Sequence, residues 1–295
     1  MLRSAAPILA AALAFGSAAA AQPQAAPAQT PPVAPVVTAT PTGADLNISP
    51  RRVTFDATQR AASVYVFNQG DAPATYTVEL VDRVMSSDGQ IRSVADAPDA
   101  PRSPSAMDLI QYTPRRVTLQ PKESQVIRVR VRPPEAPGEY RTHLTVTALP
   151  PETTGFTAEQ AAENNPNGVA LQITALFSVS IPLIVREGPV DARAAVENAR
   201  LLPAADGAPN GAVAVDLVRL GANSVYGDVQ IRAGTGADEH VVGQVRGIAV
   251  YPEIERRAVV APLAVPVAAG ESVRVVYVDD DANAGTVLGS APASR

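Results

Sequence analysis

Residues 169–185 read VALQITALFSVSIPLIV, and this stretch predicts the fold class most directly. Every odd-numbered residue from Val169 to Val185 is apolar, whereas the even-numbered residues are mostly small or polar. Because successive side chains of a β-strand point to opposite faces, the segment presents one continuous apolar face. A typical strand has about 5–6 residues, and this one is roughly three times as long.

Two interpretations of this stretch are open. It is either two consecutive core strands joined by a bend at Pro182, or one edge strand whose N-terminal half extends beyond the core. In the second case, unpaired backbone groups and apolar side chains are free to pair with another chain.

The remaining sequence is also strand-like, with short alternating runs separated by Pro, Gly, Asn and Asp. A break at Arg186–Pro189 (REGP) places a domain boundary near Gly188. Regularly spaced short strands are typical of antiparallel sandwiches. The candidate strands are 62–67, 75–81, 125–131 and 141–149 before this boundary, and 212–220, 225–233, 246–251, 258–262 and 272–278 after it. The only possible helical turn is at 157–163.

The two ends of the chain have a different character. Residues 1–21 resemble a secretory signal peptide, with Arg3, an apolar stretch and a small-residue cleavage site ending at Ala21. Residues 22–45 are rich in Ala and Pro and predict a disordered linker. We therefore expect a first β domain over 46–187, a second over 188–289, and a frayed tail over 290–295. The polar loop at 150–168 has no predicted structure, and its role is open.

Composition excludes several function classes. The chain has no Cys, which excludes thiol nucleophiles and thiolate metal sites. A net charge of −5 and a pI near 5.2 argue against a general nucleic-acid binder. His143 and His240 have no neighbours at metal-ligand spacing, and no nucleotide or hydrolase motif is present. Asp279–Asp281 lacks the spacing of a calcium loop. The sequence predicts a protein that is not an enzyme and has neither cofactor nor metal.

Four segments together resemble one family, the PapD-like periplasmic chaperones of pilus assembly, and in particular its atypical, archaic-like members. The resemblance covers 46–188 well and 189–289 weakly. The segments are ISPRRVTFD (48–56), TPRRVTLQPKESQVIRVR (113–130), GEYRTHLTVTALPP (138–151) and SIPLIVR (180–186).

The resemblance implies an all-β protein with two immunoglobulin-like β-sandwich domains in an L-shaped arrangement. Such a chaperone works in the periplasm, with no membrane insertion after signal cleavage. It lends the last strand of its first domain to a pilin-like subunit, which it caps and delivers to an outer-membrane usher. The residues of this chain that match the donor strand are Leu171, Ile173, Ala175, Phe177 and Val179.

The same family grips the C-terminal carboxylate of its subunit with two basic residues. Arg52 matches the first, and its alternative role is a solvated strand Arg. The second is normally a Lys on the donor strand, but Ser180 or Pro182 stands there, so Arg116 or Arg141 would have to substitute.

The family also has an interdomain charge triad that fixes the domain angle. Glu139, Arg186 and Asp280 match it, with Asp279 or Asp281 as alternatives to the last residue. The other functions considered are a secreted structural or adhesive surface module, for which the linker would serve as a spacer, and a secreted hydrolase, for which no catalytic constellation is found.

Overall fold

The computed structural model describes residues 36–42, 45–150 and 170–295, and β-strands dominate all three ranges. No helix in the described ranges is long and apolar enough to cross a membrane. The strands up to residue 187 are β1 (Val36–Thr42), β2 (Leu46–Ser49), β3 (Val53–Phe55), β4 (Ala61–Asn68), β5 (Ala74–Val81), β6 (Arg83–Met85), β7 (Ile91–Ser93), β8 (Ile110–Thr113), β9 (Arg116–Leu119), β10 (Ser124–Val131), β11 (Gly138–Ala148), β12 (Ala170–Leu176) and β13 (Ser178–Glu187). The later strands are β14 (Ala194–Leu202), β15 (Ala212–Arg219), β16 (Val225–Ala233), β17 (His240–Val250), β18 (Arg256–Pro262), β19 (Val273–Asp279) and β20 (Val287–Pro292).

The first sandwich packs a sheet of order β2-β4-β10-β8 against a sheet of order β3-β13-β11-β5-β9. Each strand buries its alternate apolar residues between the two sheets, as in β10, where Ile127, Val129 and Val131 are buried and the residues between them are exposed. The predicted opening strand at 48–56 is divided in two, because β2 pairs with β4 and β3 pairs with β13 in the other sheet.

The second sandwich packs a sheet of order β14-β15-β18 against a sheet of order β17-β16-β19-β20 around its own apolar core. Its core contains Leu217, Ile231 and Tyr277, all fully buried. The all-β class with two β-sandwiches is therefore confirmed.

Several predicted segments differ from the structure. Residues 36–42, within the predicted disordered linker, form β1, which pairs with β12 in a two-stranded sheet. The tail is not frayed at its start, because β20 extends to Pro292 and pairs with β19. Beyond it, the backbone N–H of Leu201 donates to the carbonyl of Ser294 at 2.8 Å. The predicted signal peptide and the segment 151–169, with its possible helical turn, lie outside the described residues.

Candidate functional site

Strand β13 has one side that is only partly covered. Along its full length, from Ser178 to Glu187, it pairs antiparallel with β11. On its other side, β3 pairs in parallel with Leu183–Val185 alone. Within the described part of the chain, no strand pairs with that side of residues 178–182. The N-terminal half of β13 is therefore a sheet edge.

The hydrogen-bond pattern shows which backbone groups face this edge. The N–H of Ala148, at the end of β11, donates to the carbonyl of Phe177 at 3.0 Å. Because the backbone groups of successive strand residues point to alternate sides, those of Ser178 and Ser180 point away from β11. The backbone of Pro182 also points away from β11. A proline without an N–H is tolerated there because the missing donor would face the free edge rather than the ladder.

The side chains of this region pass from the core to the surface. Leu183 and Ile181 are buried, and Val179 is partly buried against the same core. Ala175 is exposed, and Phe177 and its neighbour Leu176 are 42% and 52% exposed. The apolar side chains of this stretch therefore continue beyond the sandwich core, on the N-terminal side of β13.

The break between two strands falls at Phe177 and not at Pro182, which lies within β13. The two-strand interpretation is thus right about the number of strands and wrong about the position of the break, and β13 adds apolar side chains to the sandwich core. Leu171 and Ile173 belong to β12, and their side chains lie outside the described residues.

A buried charge cluster lies at the C-terminal end of β13. The guanidinium of Arg186 is 2.9 Å from carboxylate oxygens of both Glu139 and Asp281, and it donates to the carbonyl and hydroxyl of Ser224. The predicted Asp280 is not part of this cluster. It is exposed, and Asp281 takes its place because the side chain of Asp279 turns back to accept hydrogen bonds from the N–H groups of Asp281 and Asn283.

The ionisation of this cluster follows from its neighbours. Burial by itself would raise the pKa of Asp281, but the charges and hydrogen bonds of Arg52 and Arg186 hold it below the usual 3.8. Burial likewise opposes the charge of Arg186, and the carboxylates of Glu139 and Asp281 raise its pKa. The cluster therefore joins residues of the first sandwich to the loop after β19 of the second sandwich through charge-assisted hydrogen bonds.

Arg52, the predicted carboxylate anchor, is held at the same junction. Its Nη2 lies 2.9 Å from Asp281, and its guanidinium stacks 4.6 Å from the ring centre of Tyr226. Only 10% of its side chain is exposed. Its Nε and Nη1 are buried, and neither has a hydrogen-bond partner among the described residues. Arg52 is therefore not a solvated strand residue, and two of its donor nitrogens are unused.

Arg141, one of the two possible substitutes for the missing Lys, is occupied by another partner. It forms a bidentate, fully buried ion pair with Glu253 of the second sandwich and lies 3.8 Å from the ring centre of Tyr251. Glu253 also accepts hydrogen bonds from the N–H of Met85 and the hydroxyl of Ser103. Arg116 is exposed on β9 and forms no ion pair with any described residue.

A cavity of about 280 Å³ opens beside the free edge of β13. It is lined by Arg83, Ile91, His143, Ser178, Ser180, Pro182 and Tyr251. Pro182, one of the two positions where the family has a Lys, thus faces the same space as the guanidinium-bearing Arg83. Sequence reasoning missed Arg83, because it follows β5 in a hairpin that no motif marks.

His143 lies opposite Pro182 in the β11–β13 ladder and is only 2% exposed. Burial and the nearby charges of Arg141 and Arg83 lower its pKa from 6.5 to about 3. Its Nδ1 has no partner in the described structure. The ring is therefore a neutral group beside the cavity at physiological pH.

The chain was compared with known families, curated proteins and solved structures. No family model and no curated protein matches it. Among solved structures, it is similar to the E. coli chaperone DraB (18% identity, 88% of this chain and 100% of that chain, TM-score 0.42). It is also similar to a chain of the CsuC–CsuE chaperone–tip adhesion subunit complex from the archaic chaperone-usher Csu pili of Acinetobacter baumannii (12% identity, 84% and 98%, TM-score 0.43). A third similar structure is the YadV chaperone (14% identity, 84% and 99%, TM-score 0.40).

Proposed function

We propose that this protein is a periplasmic chaperone of pilus assembly that binds pilin-like subunits by lending them the N-terminal half of β13 as a missing strand. The observation that carries the proposal is the free edge at residues 178–182, which continues into exposed apolar side chains. The motif resemblance over residues 46–188 points to the same function. After capping, the subunit would pass to an outer-membrane usher, and no step requires a nucleotide or other cofactor.

The edge supplies both parts of strand addition. The N–H groups of Ser178 and Ser180 offer backbone hydrogen bonds, and Phe177 and Val179 offer side chains to a groove in the partner. Burying one such large apolar side chain contributes about 1.5–3 kcal/mol before the cost of ordering. Leu171, Ile173 and Ala175 are proposed to extend this contact along the subunit.

The cavity beside the edge is proposed to hold the C-terminal carboxylate of the subunit. Arg83 would supply the positive charge that the family takes from a Lys on the donor strand. Arg52 is a second candidate, because its guanidinium carbon is 6.0 Å from the ring centre of Tyr251, which also lines the cavity. A planar guanidinium suits a carboxylate in either position.

Co-expression tests the proposal. The full chain, including residues 1–21, is produced together with a pilin-like subunit from the same genome. This subunit is one whose own fold lacks a strand. We expect a soluble one-to-one complex in the periplasmic fraction. Phe177→Asp should abolish recovery of the subunit, because a carboxylate cannot enter an apolar groove without a large desolvation cost.

Val260→Asp is the matched control, because Val260 is 60% exposed on β18, which belongs to a sheet of the second sandwich and not to the sheet that contains β13. It should leave the complex intact. Recovery of the subunit with Phe177→Asp at the wild-type level would refute the donor-strand assignment. Accumulation of the chain in surface fibres would favour the structural or adhesive alternative.

A further inference from the structure

A second exposed surface lies on the sheet of the first sandwich that does not contain β13. On its outer face, Arg128 and Arg130 project from β10 next to each other, because they are two residues apart. Their cross-strand neighbours are Ser63 and Ala61 on β4, and Thr113 and Gln111 on β8. Since these neighbours are small or uncharged, the two guanidiniums stand above the sheet.

The two cations have no counterion within the described structure. Neither forms an ion pair or a side-chain hydrogen bond with any described residue. Shallow cavities of about 500 Å³ and 360 Å³ flank them on the β4 side and the β8 side, and no carboxylate lines either cavity. In a chain with a net charge of −5, a local pair of uncompensated guanidiniums marks a surface for an anionic group.

Aromatic side chains continue this face along the same strands. Tyr65 lies opposite Val126 in the β4–β10 ladder and is 43% exposed. Its ring stacks on Phe67 with a centroid distance of 6.3 Å. One end of the surface is therefore apolar and the other end is cationic, with the larger cavity running between them.

We propose that this surface, defined as Tyr65, Val126, Arg128 and Arg130, binds an extended acidic segment of a partner protein. The segment carries an apolar side chain followed, at two-residue intervals, by two carboxylates. Same-face residues of an extended chain are about 6.6 Å apart, which is also the interval between Val126, Arg128 and Arg130 on β10. An apolar residue against Tyr65 and Val126 thus places the carboxylates opposite the two guanidiniums.

The chemistry favours a protein segment over a polyanion. Two arginines without lysines and a net negative protein charge give little long-range attraction for nucleic acid or an anionic membrane. Arginine paired with exposed aromatic groups is instead the composition of protein-binding surfaces. The site is on the sheet opposite to β13, so its use does not depend on the donor-strand proposal.

Fluorescence polarisation with labelled synthetic peptides tests the proposal on the full mature chain. The probe is SFSESES, titrated with protein up to millimolar concentration at low salt. The controls are SFSQSQS, which lacks the carboxylates, and SFSEESS, which places them on opposite faces. We expect SFSQSQS to bind at least fivefold more weakly than the probe and SFSEESS at least twofold more weakly, with binding of the probe weakened by added salt.

The double substitution Arg128→Gln with Arg130→Gln should weaken probe binding at least fivefold and leave the urea midpoint unchanged, because both side chains are exposed. Arg246→Gln, at an arginine whose side chain is 80% exposed on the second sandwich, should change neither. Equal binding of the probe to the double variant, or equal binding of all three peptides, would overturn the proposal. Tighter binding of inorganic polyphosphate or phosphatidylglycerol vesicles than of the probe, lost in the double variant, would overturn it in favour of a polyanion or a membrane.

Discussion

His143 shows how a single residue couples this fold to pH. Its ring is buried beside Arg83 and Arg141, and its pKa falls from 6.5 to about 3. Below pH 6.5, the unfolded chain binds a proton at this ring, whereas the folded chain does not until about pH 3. Stability contributed by the neutral ring is therefore complete above pH 6.5 and is lost progressively as the pH falls.

We predict that the free energy of unfolding decreases by roughly 1 kcal/mol per pH unit between about pH 6 and pH 4 because of this ring. Asp281, whose pKa is held below 3.8, adds to the slope only toward the lower end of this window, where the unfolded carboxyl begins to bind a proton. Urea denaturation of the wild type and His143→Gln at several pH values measures the difference in slope. His240→Gln, at an exposed position, is the control and should keep the wild-type slope. An unchanged slope in His143→Gln would contradict the prediction.

At the scale of elements, the period-two pattern predicted most strands, because alternating side chains in this chain also alternate between core and solvent. β14 was missed because a bulge between Glu197 and Arg200, with Asn198 at a φ of 52°, interrupts its alternation. β20 (VLGSAP) was missed because small residues have low strand propensity, and its pairing with β19 alone makes it a strand. Neither the bulge in β14 nor the pairing of β20 with β19 can be predicted from the local sequence.

The two sides of β13 respond differently to proline. Ser180→Pro removes an N–H that faces the free edge, so we expect a loss of about 1 kcal/mol of stability, mostly from the hydrogen bond with Thr145. Val179→Pro removes a donor to β11 and should cost about 1–3 kcal/mol more than Ser180→Pro, because the buried carbonyl that accepted this hydrogen bond loses its partner. Urea denaturation ranks the two variants.

Binding of a pilin-like subunit by the Ser180→Pro variant tests whether the free edge of β13 is used for pairing. Ser180→Pro should fold but weaken the proposed complex with a pilin-like subunit at least tenfold, because the strand offered to the subunit loses one of its free backbone N–H groups. A Ser180→Pro variant that folds and binds the subunit like the wild type would show that this edge is not used for pairing.

At the scale of the whole molecule, two clusters of buried ion pairs join the sandwiches within the part of the chain that the structure describes, and the sequence predicted one of them. The Arg186 cluster could be anticipated from the motif resemblance, apart from the choice between adjacent aspartates, which depends on how the loop after β19 turns. The Arg141–Glu253 pair joins residues 112 positions apart and has no local pattern. An apolar contact of Met85, Ile184, Ala249 and Tyr251 accompanies it.

Glu253→Gln should destabilise the protein by about 3–5 kcal/mol, because it leaves the charge of Arg141 buried without its partner. Glu197→Gln is the control, since Glu197 pairs with Arg256 on the surface and should cost less than about 1 kcal/mol. Urea unfolding measures both. Equal effects of the two substitutions would show that the junction contributes little to stability.

Site-resolved amide hydrogen exchange tests the central claim most directly, because the free edge of β13 is the basis of the proposed chaperone function. In the free protein, the N–H groups of Ser178 and Ser180 should exchange fast, whereas those of Val179 and Ile181, which face β11, should be protected. In complex with a pilin-like subunit, we predict strong protection of Ser178 and Ser180. A bound subunit that leaves these two amides in fast exchange would contradict the claim.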